Sequence, residues 1–289
     1  MNTQSEKTPV IVTVTGPSGS GKTVMSHLLA EKGMRPLIST TTRAPRAGEV
    51  DGRDYHFMTK DRFNQLLDEG FFIENVEYNN TFYGVSVEEA EKAFSQGRPA
   101  VLVAEPHGVQ QISDFAHHRG WHVLRVFVDN PEDLLIGRLF NRLLLDMGRG
   151  LPGPADRPHE SFAPFLASAV ALSHEELDDE ALRSRYAVLL DEFLTSPLVP
   201  NIASGVEPPT AAERQKRLDA AVSRLANFGF ERSNWVVPAH DDPGLYEVVT
   251  REFNQDSDQE IVREVLEKVQ QLEATSAQLN VRRSARSIR

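Results

Sequence analysis

The chain has 289 residues, of which 40% are apolar and 25% are charged, the proportions of an ordinary globular protein. It contains no cysteine, which excludes disulfides, thiolate metal sites and cysteine nucleophiles. The formal net charge of −11 disfavours a long nucleic-acid track as a partner, and no run is apolar for long enough to span a bilayer. We therefore expect a cytoplasmic protein without a signal peptide, folded as one core domain with insertions.

The first predicted elements frame a glycine-rich phosphate loop. A β-branched strand, Val10 to Val14, leads into Gly16-Pro-Ser-Gly-Ser-Gly-Lys-Thr23, and a helical pattern begins at Lys22. Strand, loop and helix in this order are the context that the pattern G-x-x-x-x-G-K-[ST] requires. The N–H groups of such a loop point at a phosphate, and the helix N-terminus adds positive potential. A glycine-rich turn without a ligand has no need of Lys-Thr at this spacing.

The loop predicts ATP and Mg²⁺ as cofactors. The Lys22 ammonium would lie against the β- and γ-phosphates, and the Thr23 hydroxyl would bind Mg²⁺. The predicted ATP-binding residues are Gly16, Ser18, Gly19, Ser20, Gly21, Lys22 and Thr23.

Strands and helices alternate from the loop to about residue 145. One helix is predicted to begin after Thr59 or Asp61, either of which could be its N-cap, and another after the capping box Ser86-Val-Glu-Glu89. This alternation predicts an α/β fold with a parallel sheet covered by helices on both faces. The predicted strands lie at 37–42, 55–57, 71–76 and 81–85 (paired around the turn Asn79-Asn80), 99–104 and 122–128.

The second half is interrupted by breaker residues. Glycine and proline are frequent from Asp146 to Pro164, which predicts a linker or mobile loop. Capping boxes at Ser173–Glu176 and Thr210–Glu213 predict two further helices. A last strand is predicted at Trp235–Pro238, followed by a closing helix through residues 261–269 and a basic tail.

Two arginines and two hydroxyl side chains form a second candidate site. Ser39, Arg43, Arg46 and Tyr55 lie in one segment after the first helix. A guanidinium group can donate to two phosphate oxygens at once, and a tyrosine hydroxyl adds a further donor. Beside an intact phosphate loop, this segment is a candidate for binding the phosphate of an acceptor; alone it would be read as a solvated turn.

The segment from Ser39 to Phe57 resembles the signature of guanylate kinases. So do Phe72-Ile-Glu74, Phe82-Tyr-Gly84, His107-Gly108 and Arg138-Leu-Phe-Asn-Arg142, and more faintly Lys216-Arg-Leu218 and Trp235-Val-Val237. The resemblance implies a P-loop nucleotide kinase with a small β-rich acceptor-binding subdomain and an extended helical lid. The expected units are the core (9–34, 99–145 and 210–270), the acceptor subdomain (35–98), the lid insertion (146–209), an N-terminal tail (1–8) and a basic C-terminal tail (271–289).

The resemblance also implies roles for individual residues. Glu74 matches the carboxylate that accepts from guanine N1 and N2, and Arg142 and Arg217 match lid arginines. The residues that match the holders of the acceptor monophosphate are Ser39, Arg43, Arg46, Tyr55 and Tyr83. Phosphoryl transfer needs positioning and positive charge, and the predicted catalytic residues are Lys22, Arg43, Arg142 and Arg217.

The base pocket departs from the family pattern at four positions. Val85 replaces a Ser or Thr, Val103 and Glu105 stand where the family has an Asp-x-Asp pair, and His107 replaces a Gln. We expect Val85 and Glu105 to line the base pocket. An apolar wall rejects a wrong base less strongly than a polar one, because no polar atom is left unpaired.

Three functions remain open from the sequence. The first is transfer of the ATP γ-phosphate to (d)GMP or a related nucleotide. The second is a kinase for a modified base such as 5-hydroxymethyluracil, as a nucleotide or in DNA, although the acidic balance disfavours DNA. The third is a non-catalytic guanylate-kinase-like binding module, which the intact Lys22 and Thr23 disfavour. The sequence indicates no oligomeric state and no purpose for the insertion.

Overall fold

The computed structural model of the chain describes residues 7–45, 48–78, 81–151, 162–242, 246–250 and 255–286. The strands are β1 (Val10–Thr15), β2 (Arg35–Pro36), β3 (Thr40–Thr41), β4 (His56–Phe57), β5 (Phe72–Tyr78), β6 (Thr81–Ser86), β7 (Ala100–Val103), β8 (His122–Asp129) and β9 (Glu247–Thr250). The helices are α1 (Lys22–Glu31), α2 (Lys60–Asp68), α3 (Val87–Ser95), α4 (Pro106–Arg119), α5 (Glu132–Asp146), α6 (Ala163–Ser173), α7 (Asp179–Thr195), α8 (Ala211–Glu231), α9 (Val237–Asp241) and α10 (Gln255–Arg286). A π-helical turn, Arg232–Val236, joins α8 to α9.

The core is a five-stranded parallel sheet in the order β2-β7-β1-β8-β9. All six residues of β1 are buried, because β7 and β8 pair with it and helices cover both faces. Val10, Val12 and Val14 pack with α1 and α10, whereas Ile11 packs with α3 and α4. The expected α/β architecture is therefore confirmed, and β1 delivers the phosphate loop to the centre of the sheet edge.

A second sheet, in the order β4-β3-β6-β5, lies within residues 35–98, the predicted acceptor subdomain, which we call the acceptor unit. The first strand of this unit, β2, pairs in the core sheet. The small core of the acceptor unit stacks Phe63 of α2 on Phe72 of β5, with ring centroids 4.3 Å apart. Of the two candidate caps of α2, Thr59 is the N-cap and accepts from the Arg62 amide at 3.3 Å. The predicted cap Ser86 accepts from the Glu89 amide at 3.2 Å.

Helices α5 to α8 form a helical domain (residues 132–151 and 162–231) with a separate hydrophobic core. Phe193 lies at its centre, with ring centroids 4.7 Å from Phe140 and 5.1 Å from Phe162. The predicted helix start at Ser173 is wrong, since α6 ends there. The Ser173 hydroxyl lies 2.5 Å from Glu132 Oε1, and Asp178 caps α7 instead, accepting from the Ala181 amide at 2.8 Å.

The predicted last strand at Trp235–Pro238 is also wrong. This segment forms the π-helical turn and α9, and Trp235 packs against Phe127 and Tyr246. The last described strand is β9, which pairs with β8. Its β-branched residues Val248 and Val249 lie opposite Phe127 and Val128. Helix α10 continues through Arg286, into the predicted basic tail.

Some sequence predictions fall on residues outside this description. They are most of the N-terminal tail, Arg46, the turn Asn79-Asn80, the glycine- and proline-rich residues 152–161 and the last three residues. None of the described helices is both long enough and apolar enough to cross a bilayer.

One buried carboxylate of α3 ties this helix to β4 and to the chain before β3. Glu89 of α3, with only 2% of its side chain exposed, accepts from Lys92 Nζ at 2.9 Å and from the Ile38 amide at 3.4 Å. His56 Nε2 of β4 lies 3.3 Å away. Burial acts to raise the pKa of Glu89, but the bonds from Lys92 and Ile38 outweigh it and lower the pKa.

We expect Glu89→Ala to lower the free energy of unfolding by about 3 kcal/mol, because it removes a buried carboxylate from its partners. Glu91→Ala, at an exposed site on the same helix, should change it by less than about 0.5 kcal/mol. Because the folded-state pKa of Glu89 is lowered, its contribution is present above its ordinary pKa of 4.5 and is lost as the pH falls through the folded value. Urea denaturation at several pH values measures both effects, and equal losses in the two variants would contradict the role of Glu89.

Candidate active site

The phosphate loop, residues 16–23, passes so close to its neighbours that a side chain has no room at Gly16 and little room at Gly19. An ideal Cβ on Gly16 would lie 2.2 Å from the carbonyl oxygen of Val128, and one on Gly19 3.3 Å from that of Leu135. Gly21, at the N-terminus of α1, has a φ of 92°, which favours glycine. The loop is therefore held between β8 and α5 in a conformation that these glycines allow.

Lys22 lies inside the loop. Its Nζ donates to the carbonyl oxygens of Gly16 at 2.7 Å and Pro17 at 3.0 Å. Burial lowers the pKa of the Lys22 ammonium, while the charges of Glu231 and Glu105 act in the opposite sense. The ammonium thus lies at the centre of the loop with carboxylates near it.

The loop retains features of a phosphate and magnesium site. The Ser20 hydroxyl oxygen is fully buried and has no hydrogen-bond partner among the described residues, so a polar group is left for a ligand. Thr23 is exposed in the first turn of α1, where its hydroxyl is accessible to a metal ion. The donor set of loop amides, a lysine and a threonine suits a magnesium nucleotide.

The predicted lid arginines lie away from the loop. Arg142 is exposed on α5, and Arg217 of α8 donates to the carbonyl oxygen of Asp146 at the end of α5. Asp146 is eight residues beyond Arg138, which corresponds to about 12 Å along the helix. The structure therefore brings neither predicted lid arginine into a described contact with Lys22.

Arg138, which the sequence analysis did not assign to catalysis, does reach the loop. Its Nη1 donates to the carbonyl oxygen of Gly19 at 2.8 Å. The available signal was spacing: Arg138 and Arg142 are four residues apart and so share one face of α5. Arg138 is the arginine of that face that touches the phosphate loop.

Arg43, Tyr55 and Tyr83 meet in the acceptor unit. The Arg43 guanidinium lies 5.1 Å from the Tyr55 ring centroid, and the Tyr55 and Tyr83 centroids are 6.2 Å apart. Both Nη atoms of Arg43 donate to Glu49 at 2.7 Å. Hydrogen bonding to Glu49, partly opposed by desolvation, raises the pKa of Arg43. This bidentate geometry also suits a phosphate.

Ser39 and Arg46 complete the predicted acceptor-phosphate set. Ser39 is half-buried beside β3, where its carbonyl oxygen accepts from the His56 amide at 2.9 Å. Arg46 lies outside the described residues.

Glu74 lies in a tight, buried position opposite the start of α4. An ideal Cβ on Gly108 would lie 3.1 Å from Glu74 Oε2, so α4 approaches the carboxylate through a glycine. Gln111, which the sequence analysis missed, fixes α4 to β5: it accepts from the Asn75 amide at 3.0 Å and donates to the Asn75 carbonyl at 3.1 Å. Burial raises the pKa of Glu74 to about 7, and the charge of Glu105 adds to the rise.

Comparison with known proteins finds guanylate kinases similar to this chain. The guanylate kinase family model matches residues 6–142. A guanylate kinase of Thiobacillus denitrificans is 41% identical over 187 residues, covering 64% of this chain and 79% of that protein. A guanylate kinase of Rubrobacter xylanophilus is 29% identical over 202 residues. The match covers 68% of this chain and 97% of that protein. One from Cereibacter sphaeroides is 38% identical over 46% of this chain and 62% of its own.

The chain belongs to the guanylate kinase family. It is accordingly an ATP-dependent nucleotide kinase, and its cofactors are ATP and Mg²⁺. The predicted alternative of a non-catalytic binding module is therefore set aside. The family model covers about the first half of the chain, and most of the helical domain lies beyond the matched residues.

Val85 and Val103, two positions that depart from the family pattern, differ in how exposed their side chains are. Val85 has no exposed surface and packs in the core beside Ile73 and Leu102, so its predicted place in the base pocket stays a prediction. The last three residues of β6, Gly84 to Ser86, are all buried. Val103, in contrast, is 36% exposed at the end of β7, and Glu105 is exposed at the N-cap of α4.

We expect Glu105→Gln to lower the pKa of Glu74 from about 7, because it removes a like charge and leaves the burial of Glu74 in place. Glu77→Gln, at an exposed position of the same strand, should leave the pKa unchanged. Carboxyl carbon NMR titration measures the midpoint, with Glu74→Gln identifying the signal. A midpoint near 4.5 in the wild type would contradict the buried position of this carboxylate.

Proposed function

We propose that the chain transfers the γ-phosphoryl group of ATP to the phosphate of GMP or dGMP. The observation that carries the proposal is the buried carboxylate of Glu74, enclosed by the glycine of α4. Burial raises the pKa of Glu74 to about 7, but hydrogen bonds donated by a bound base would favour its ionised form, which only accepts hydrogen bonds. Guanine offers it two adjacent donors, N1–H and the N2 amino group, so this base satisfies both oxygens.

In this proposal the acceptor unit binds GMP and the helical domain acts as the lid. Arg43, Tyr55 and Tyr83 hold the acceptor phosphate together with Ser39 and Arg46, and Glu49 gives up its bond to Arg43 when the phosphate binds. The charge of Glu105 acts on both Glu74 and Lys22, in each case to raise the pKa.

The donor site is the phosphate loop, with Gly16, Ser18, Gly19, Ser20, Gly21, Lys22 and Thr23. Mg²⁺ bound near Thr23 would neutralise charge on the β- and γ-phosphates. Lys22 provides the fixed positive charge, and Arg138 holds the loop against α5. Arg142 and Arg217 approach the transferring group when the helical domain closes.

A second candidate acceptor is a nucleotide with a modified base such as 5-hydroxymethyluracil. The exposed Val103 favours it, because an apolar residue stands where the family has a carboxylate and removes one polar contact from the base site. Pyrimidines offer Glu74 a single N–H donor, so GMP remains the better match for this carboxylate.

Lys22→Ala should reduce phosphoryl transfer to GMP by a factor of about 10³ or more, because it removes the charge at the centre of the loop. Lys32→Ala, just past the end of α1 and exposed, is the matched control and should retain full activity. Coupled ADP-release kinetics measure both variants, with circular dichroism to check folding. Turnover near the wild-type value in Lys22→Ala would refute the assigned donor site.

Wild-type kcat/KM should be highest for GMP and dGMP in a panel that includes AMP, dTMP, 5-hydroxymethyl-dUMP and an oligonucleotide containing 5-hydroxymethyluracil. Glu74→Gln should lower kcat/KM for GMP by about a hundredfold, because one guanine donor is left unpaired in a buried site. It should change the KM for ATP little. A higher kcat/KM for 5-hydroxymethyluracil, as the free nucleotide or in the oligonucleotide, would show that GMP is not the preferred acceptor.

A further inference from the structure

Glu231, the last residue of α8, places its carboxylate on the phosphate loop. Its Oε2 accepts from the Ser18 amide at 2.8 Å and its Oε1 from the Ser18 hydroxyl at 3.0 Å. The residue is 7% exposed, and burial raises the pKa of this carboxyl despite the bonds from Ser18. A bidentate anionic group from the helical domain is thus bound to an amide of the loop.

A carboxylate in this position makes the same kind of contact as a phosphate. Such a loop binds anions through backbone N–H groups and a lysine. Glu231 accepts from one of these N–H groups, that of Ser18, and its charge acts to raise the pKa of Lys22. Two anions in one desolvated space repel each other strongly. The carboxylate and the terminal phosphates of a nucleotide therefore compete for the loop.

We propose that Glu231 is an internal plug of the phosphate loop, displaced from Ser18 when ATP binds, and that its displacement releases the helical domain to close. This inference rests on the proposed donor site. It assigns Glu231 an autoinhibitory role in the nucleotide-free protein and a role in coupling ATP binding to the lid.

The path from the plug to the lid is a single helix. Glu231 and Arg217 are both on α8, 14 residues apart, which corresponds to about 21 Å. Arg183 of α7 donates to the Ser223 hydroxyl at 2.9 Å, so α7 and α8 are joined. A movement of the end of α8 is therefore transmitted to Arg217 and to the core of the helical domain.

The π-helical turn that follows Glu231 is suited to act as the hinge. Turns of this kind interrupt regular helices and occur frequently at functional sites. Trp235 lies in this turn and is partly buried against Phe127 and Tyr246. Its fluorescence should therefore report movement of the end of α8.

The test measures the affinity for magnesium ATP and for inorganic tripolyphosphate by isothermal titration calorimetry. Glu231→Gln keeps the size of the side chain and removes its charge. We expect it to bind both probes about tenfold more tightly than the wild type, because a larger fraction of the loop is open. Asp219→Asn, which neutralises an exposed carboxylate on the same helix, should bind both as the wild type does.

Fluorescence gives a second, independent measurement in the Trp121→Phe background, where Trp235 is the remaining tryptophan. Adding ATP should change the emission with Glu231 present, and the Glu231→Gln protein should show part of that change before ATP is added. Equal affinity in the two proteins, or weaker binding by Glu231→Gln, would overturn the plug.

The plug and the proposed function fail in different ways. Tighter binding by Glu231→Gln supports the plug even if the wild type does not phosphorylate GMP, in which case only the acceptor assignment fails. Efficient GMP phosphorylation together with unchanged ATP affinity in Glu231→Gln removes the plug and leaves the proposed function intact. Binding of neither probe by either protein contradicts both.

Discussion

The close approach of β8 to the phosphate loop is the constraint on which the rest of the site depends. The carbonyl oxygen of Val128 would lie 2.2 Å from a Cβ at position 16, so the loop can turn here only as glycine. β1 brings the chain to this point because it is buried along its whole length between β7 and β8. The start of α1 and the position of Lys22 follow from that turn.

The chain's own carboxylates balance the cationic and N–H groups of the site. Glu49 binds both Nη atoms of Arg43, and Glu231 binds both donors of Ser18. Donors and charges that are removed from water are costly when they lack a partner. In the proposed function a phosphate replaces Glu49 at Arg43, and in the further inference ATP replaces Glu231 at Ser18. Each donor group thus exchanges one anionic partner for another.

The helical domain adds a second hydrophobic core to a family fold whose likeness lies mainly in the first half of the chain. Phe140 of α5 and Leu218 of α8 belong to that core, while Arg138 of α5 and Glu231 of α8 contact the phosphate loop. The same two helices therefore serve both the domain and the site. A rigid connection of this kind carries a movement at one end to the other, because packed helices move as units.

The sequence by itself determined the phosphate loop, the α/β alternation and the family, because these depend on local spacing: glycines at a tight turn, β-branched buried strands and capping boxes at Ser86 and Thr210. The sequence misplaced the last strand, because Trp235 packs against Phe127 in a helical turn and not in a strand. It misplaced the start of α7, because the Ser173 hydroxyl bonds to Glu132 and does not cap a helix. Only the tertiary structure decided that Val85 is buried whereas Val103 is exposed, and that Arg138 and Glu231 reach the loop. Glu231 is 213 residues from Ser18, and no local pattern specifies a contact across that separation.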